Sequence, residues 1–483
     1  MNVKHDLSVY LIICLITLVS CNETGQYGAS SDLPDVFPDY SETVIPCNVA
    51  PLNFYIKGKR EKYMIRFVAG KDSFEIYSRN KVVIPEKRWK KLLSQSLYTH
   101  SRVRVNICLF GKTKATWVKR RDITLTVVSD SIDPYIVYRL IEPGYQYWSK
   151  MGIYQRHLES YKETPVMLNS LTDANCMNCH SFCNNNPQKM LFHLRAEHAG
   201  TMLVTDGQVK KIDTKTKDNV SPAVYPRWHP EGRYIAFSVN KTSQTFHTFN
   251  RNLIEVYDSA SDLIIYDTEK QTIYSNTLIH SPNRFETYPE WSPDGKSLYF
   301  CSAPALKMPD EYDSLKYDLC RIDFDPLSGK TGNKIDTVLL SSQMGKSVAF
   351  PRISPDGKYL LLCLSDYGTF PIWHRENDLY LINLQTNALR PLTEINSTES
   401  DSYHSWSSTG KWIIFGSRRM DGLYTRPYIA YLESDGLFGK PFLLPQKNPL
   451  FYDDFMKSYN IPEFITGKIT VGIRELERIA KGN

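Results

Sequence analysis

One pattern of apolar and polar positions returns four times in the second half of the chain. It opens with an aromatic residue (Tyr225, Tyr288, Phe350, Tyr403) and places a large apolar side chain three positions later (Trp228, Trp291, Ile353, Trp406). A polar turn ending in glycine follows (Gly232, Gly295, Gly357, Gly410), then five largely apolar residues and a small one (Ser238, Cys301, Cys363, Gly416). The opening aromatics are 63, 62 and 53 residues apart. In the Ser-Pro-Asp-Gly version of the turn, Pro fixes φ, Asp caps the turn and Gly takes the position with φ > 0. Each apolar run is of strand length, and a second run follows it at residues 262–267, 318–323, 378–383 and 427–432. Repeats of this period complete one another's cores, and strand-turn-strand units of this kind predict the blades of a β-propeller. The recurring small residue implies close approach, so Cys301 and Cys363 read as buried packing rather than reactive thiols.

The first half follows a different period. Residues 53–57, 63–68, 74–77, 103–110 and 123–128 are short β-rich runs, and 103–110 alternates large apolar with polar side chains as a half-buried strand does. Residues 85–97 predict one short helix with Pro85 at its first turn. The expected product is a β-sandwich-like domain over residues 43–130. Residues 131–200, rich in Tyr, Trp and Met at their start, read as a connector, and 201–475 as the propeller. The fold class is therefore all-β.

The N-terminus changes the cellular setting. Residues 7–19 are almost continuously apolar after Lys4, too short to span a bilayer comfortably, and end at Leu18-Val19-Ser20-Cys21. That tetrapeptide resembles the lipobox of bacterial lipoproteins. The resemblance implies a signal peptide at 1–20, a lipid on Cys21, a polar tether at 21–42 and membrane attachment by anchor rather than by a span. Charge is uneven. The chain carries +6 overall, yet residues 57–121 hold 19 Lys and Arg against 4 Asp and Glu. This basic domain suits anionic polysaccharide, lipid headgroups or an acidic partner as well as plain solvation, while export argues against nucleic acid. An oxidising envelope permits disulfides, Cys47 with Cys108 among them.

Trp291-Ser292-Pro293-Asp294-Gly295-Lys296 followed by an apolar strand resembles the propeller repeat of TolB and related envelope proteins. The resemblance implies six blades. Four are plain, a fifth is expected around residues 202–209, and residues 465–473 are expected to complete a sixth. The layout as a whole resembles TolB-like lipoproteins of Bacteroidetes-type bacteria that carry a cytochrome c-like motif, which implies the cell envelope, with the outer membrane favoured over the inner.

That motif is Cys176-Met177-Asn178-Cys179-His180. C-x-x-C-H is the spacing at which two thiols bond the vinyl groups of haem c and the next imidazole meets the iron. In this reading Cys176 and Cys179 attach haem and His180 is the proximal ligand, with Met190, His193 or His198 distal. A second reading is a zinc site of Cys176, Cys179 and Cys183 with one of these histidines. A third is a disulfide of Cys176 with Cys179 or Cys183, with no cofactor. Nucleophile-elbow, phosphate-loop and H-E-x-x-H patterns are absent from the sequence, and little chain follows the last repeat, so the expectation is a chain without enzymatic activity. Long insertions at 240–258, 303–317 and 366–377 suit recognition of an envelope protein or a glycan. The two functional expectations are a non-enzymatic binding or assembly scaffold and a haem c-bearing electron-transfer or cytochrome c biogenesis-related protein.

Overall fold

Six four-stranded antiparallel sheets succeed one another around an axis in the computed structural model of the protein, which describes residues 28–59, 61–97, 101–112, 117–142, 150–217, 219 and 221–482. Each sheet is a blade, and one of its edge strands lies innermost. The inner strands are Met177–Phe182 (blade 1), Val224–Trp228 (blade 2), Arg284–Trp291 (blade 3), Ser347–Ile353 (blade 4), Asp401–Trp406 (blade 5) and Ser458–Ile465 (blade 6). Each inner strand contacts the next, and blade 6 contacts blade 1, so the ring is closed.

Closure joins distant parts of the chain. The inner strand of blade 6 comes from the C-terminal region, and its remaining strands are Tyr135–Ile141, Gly152–His157 and Glu163–Leu168. Tyr135 pairs with Ile465, and Ile141 with Ser458. The stretch read as a connector, 131–200, is thus a correction: it supplies three strands of blade 6 and the first two of blade 1. Its frequent Tyr and Met side chains are blade core, as with the buried Tyr138, Met151, Met167 and Met177. The sixth blade is completed by Ser458–Ile465 rather than by 465–473. Beyond it, a helix, Ile473–Ala480, packs Leu476 and Ala480 into the core shared by blades 6 and 1.

The turns behave as their residues dictate. Gly232, Gly295, Gly357 and Gly410 all have φ between 66° and 79°. In blade 3 the Ser292 hydroxyl and the Lys296 amide both donate to Asp294 Oδ1, at 2.6 and 3.0 Å. A Cβ on Gly295 would collide with the His229 ring of blade 2, so this glycine serves both the turn and the blade contact.

The N-terminal domain is a seven-stranded and a three-stranded sheet with one helix, Glu86–Ser96, whose Trp89, Leu92 and Leu93 are buried. Residues 28–42, read as tether, partly belong to it: Gly28–Ala29 pairs with Trp117–Lys119, and Val36–Phe37 with Phe54–Ile56. The expected signal peptide and the lipidation site Cys21 lie outside the described residues. The domain shares one continuous hydrophobic core with blades 3 to 6. Trp412 Nε1 of blade 5 donates to the Asp130 carbonyl at 3.1 Å, and Arg102 forms a two-pronged pair with Glu433, both bonds 2.7 Å. Cys47 and Cys108 are not joined. Cys108 sits with Met64 and Phe110 in a separate cluster, and Cys47 packs against the main core. No helix among the described residues is long and apolar enough to cross a membrane.

Candidate functional site: the two mouths of the propeller channel

Every inner strand carries the same irregularity. Its pairing with the second strand slips once, and the residue at the slip has φ > 0: Cys179 (54°), Tyr225 (47°), Tyr288 (51°), Phe350 (50°), Tyr403 (49°) and Ile461 (49°). A bulge of this kind bends a strand and re-aims its side chains. For bulky residues φ > 0 costs free energy, and six repeats of it mark a feature built into the architecture.

Four of these side chains pack ring against ring, one pair stacked and two edge-to-face. Ring centroids are 4.7 Å apart for Tyr225–Tyr288, 4.0 Å for Tyr288–Phe350 and 5.1 Å for Phe350–Tyr403. They form an aromatic plug and leave a mouth on either side of it. Two positions further along stand Ser181, Arg227, Glu290, Arg352, Ser405 and Glu463. Five of these six, all but Ser181, line the mouth on the turn side, a cavity of about 360 Å³.

The opposite mouth, a cavity of about 270 Å³, lies where the inner strands begin and the long insertions end. Residues 240–258 form no loose loop there. They continue the hairpin of Tyr234–Phe246 and Ile254–Asp267 beyond the blade. Glu255 on that hairpin accepts hydrogen bonds from Tyr367 Oη at 2.6 Å and His374 Nε2 at 3.2 Å, tying it to the insertion of blade 4. Among the described residues the mouth is lined by the guanidiniums of Arg139, Arg195 and Arg418 against one carboxylate, Glu142, with Tyr225, Phe370, Trp373 and Tyr403 supplying aromatic surface. Arg139 donates to the Met177 carbonyl and to Asn460 Oδ1, at 2.8 and 2.9 Å. Arg418 lies over the Trp373 ring, 4.3 Å from its centroid. Arg195 is paired by Asn178 when that amide is turned oxygen-inward, at 3.2 and 3.3 Å.

The C-x-x-C-H residues take their places within this repeat. Cys176 and Cys179 both line the cationic mouth. His180 lines neither mouth. Its buried ring faces the backbone of Val137 and Ile461 in blade 6, and burial, helped by Arg139, pushes its pKa down to about 3. His404 sits identically in blade 5, with Nε2 3.1 Å from the Leu361 carbonyl of blade 4, and burial again lowers its pKa to about 3. His180 is thus a contact between blades.

The other predicted ligands do not gather around it. Met190 is buried in the core opposite Phe182. His193 Nδ1 lies 3.1 Å from Thr201 Oγ1, and burial lowers its pKa to about 3. His198 Nε2 meets Asp173 Oδ2 at 2.7 Å on the surface. Cys183 packs with Leu191 and Trp228 near the carbonyls of His229 and Pro230, and burial pushes its thiol up to about 11. A haem at Cys176 and Cys179 needs His180 turned toward it, and the His180 ring is held on the other side, so these residues do not fit haem attachment. The zinc reading meets the same dispersal: no group of three His, Cys, Asp or Glu among the described residues is placed to hold a metal ion. All eight described cysteines are free thiols, Cys176, Cys179 and Cys183 included.

Two further inner strands, in blades 1 and 6, carry the repeat without its glycine turn. Cys179-His180-Ser181-Phe182 matches Tyr403-His404-Ser405-Trp406, and Ile461-Pro462-Glu463-Phe464 matches Tyr288-Pro289-Glu290-Trp291. The shared His-Ser-aromatic and Pro-Glu-aromatic steps were the available signal. The glycine turn that identified the other copies is replaced after Phe182 by Asn184 and Asn185, both with φ > 0.

Comparison with known proteins gives limited matches. No family model matches the chain. A segment of 169 residues is 25% identical to dipeptidyl-peptidase 5 of Porphyromonas gingivalis, covering 35% of this chain and only 20% of that protein. Among solved structures, an oligogalacturonate lyase in complex with manganese aligns at 14% identity and a TM-score of 0.37, over 65% of this chain and 74% of that one. A puromycin-hydrolysing peptidase of Mycobacterium tuberculosis aligns at 10% identity and 0.36, over 87% and 57%. The tricorn protease aligns at 11% identity and 0.35, over 84% and 47%. The expectation of a chain without enzymatic activity is overturned by the match to dipeptidyl-peptidase 5: a 169-residue segment of this chain is 25% identical to a protein named as a peptidase. What the chain and its sheets establish together is an all-β protein with a six-bladed propeller, similar over part of its length to a bacterial peptidase.

Proposed function

We propose that this chain recognises carboxylate-bearing ligands, peptide carboxyl termini foremost, at the cationic mouth of its propeller. It would do so within a peptidase-type hydrolytic system held at the cell envelope by a lipid on Cys21. The observation that carries the reading is the imbalance of charge at a concave, aromatic-lined site: three guanidiniums against one carboxylate, where the hairpin and the blade 4 insertion meet. Guanidiniums pair carboxylates through two parallel hydrogen bonds, and a partly desolvated mouth strengthens such bonds. The partial match to dipeptidyl-peptidase 5 supports the peptide as ligand and the hydrolytic setting.

Calorimetric titration with a short peptide ending in a free carboxylate, its carboxamide twin and a galacturonate oligomer tests this. The free-acid peptide binds, the amide binds at least about tenfold more weakly, and Arg195→Ala loses the difference. Equal binding of acid and amide contradicts the reading. Binding of the galacturonate alone keeps the carboxylate site and replaces peptide by glycan.

A further inference from the structure

The mouth on the turn side has a different chemistry. Arg352 Nη1 lies 3.5 Å from Glu290 Oε2, Arg227 Nε lies 2.8 Å from the same oxygen, and Arg227 Nη1 lies 3.1 Å from Glu463 Oε1. The four side chains form a row that alternates in charge across blades 4, 3, 2 and 6. The row is capped at one end, where Arg352 Nη1 also donates to the Pro351 carbonyl at 2.6 Å. It is open at the other. Among the described residues Glu463 Oε2 has no hydrogen-bond partner, although Glu463 is only 6% exposed and lines the cavity.

An unpaired carboxylate oxygen buried to this degree is costly unless a donor meets it. The corresponding positions of the two blades flanking blade 6 carry Ser181 and Ser405, where other blades carry Arg or Glu. The surrounding wall is aromatic: Trp228, Trp291 and Trp406 line the cavity. The indole N–H groups of Trp291 and Trp406 are used, donating to the Arg227 and Arg352 carbonyls at 3.0 Å each, while Trp228 Nε1 has no partner among the described residues. A carboxylate acceptor within an aromatic wall is the environment that favours a primary ammonium, through a charge-assisted hydrogen bond and cation–π attraction together.

We propose that this second mouth binds a primary ammonium group, with Glu463 Oε2 as its acceptor and the tryptophans as its walls. The ammonium extends the alternating row by one member. The site lies across the aromatic plug from the cationic mouth and is independent of it.

The test uses the full chain and three short peptide amides: one with a free amino terminus and no lysine, one N-acetylated with a single lysine, and one N-acetylated with norleucine in its place. All three lack a carboxylate, so the cationic mouth is not probed. Binding of the first assigns an amino terminus, and binding of the second a lysine side chain. The norleucine peptide does not bind. Glu463→Gln keeps shape and lowers affinity at least about tenfold while leaving carboxylate binding at the other mouth unchanged. Trp228→Phe, which keeps the ring and removes the N–H, gives a smaller loss and guards against a folding effect at Glu463. Failure of both amine peptides to bind overturns the proposal, as does equal binding of all three or unaltered affinity in Glu463→Gln.

Discussion

Cys179 in blade 1 and Tyr403 in blade 5 hold one and the same place in their blades. Both have φ near 50°, both sit at the slip in strand pairing, and each is followed by a buried histidine whose ring meets backbone of the preceding blade. The remaining four blades carry proline where those histidines stand: Pro226, Pro289, Pro351 and Pro462. The backbone at this position therefore tolerates a fixed φ and needs no N–H. His180→Pro is expected to fold cooperatively with a loss of no more than about 2 kcal/mol, read by urea denaturation. A histidine required as an iron ligand would not tolerate this exchange.

The buried histidines also shape the response to acid. Burial lowers the pKa of His180, His193 and His404 to about 3, from 6.5. The unfolded chain then binds protons that the folded chain refuses, so stability falls as pH drops from 6.5 toward 3. Glu290 and Glu463 act in the opposite sense. Burial raises each from 4.5 to about 7, so their contribution is fully present below pH 4.5 and lost as pH rises toward 7. The two effects oppose each other between 4.5 and 6.5, and the histidines act without that opposition below it. Thermal melts are expected to lose stability most steeply between pH 4.5 and 3, and His404→Gln to soften that limb while leaving pH 7 nearly unchanged.

Ring closure rests on a single strand from the C-terminal region. Phe464, fully buried, pairs with Ile136 in the seam that joins the two ends of the ring. Phe464→Ala removes a large buried side chain where two strands of one blade, far apart in the chain, are held only by pairing and packing. It is expected to cost about 3–5 kcal/mol, visible as a lower urea midpoint.

The contact between the N-terminal domain and blade 5 sets a contrast. Arg102 and Glu433 pair with good geometry, but their side chains are 47% and 24% exposed. Glu433→Ala should cost about 1 kcal/mol or less, because solvent screens the pair and the shared apolar core persists. A larger loss would assign the domain contact to charge rather than to burial.

Four blades were legible because Gly232, Gly295, Gly357 and Gly410 all need φ > 0 and all follow an aromatic strand by a fixed step. Blade 6 was hidden because its strands are separated by nearly three hundred residues, and sequence periodicity is local whereas ring closure is not. Blade 1 was legible in its outer strands, around residues 202–209, but its inner strand was hidden because Asn184 and Asn185 replace the glycine turn and because Cys176, Cys179 and His180 form a pattern with a stronger chemical meaning than their packing. The charged row from Arg352 to Glu463 appears only when blades 2, 3, 4 and 6 face one axis, a relation that no single repeat contains.

The absorption spectrum of the purified full chain, produced alongside haem-attachment machinery, tests most directly whether Cys176 to His180 is a propeller strand. No Soret band and an unmodified peptide spanning Cys176 and Cys179 is the result expected of a strand whose histidine is turned toward the neighbouring blade. A Soret band with haem mass on that peptide would contradict it.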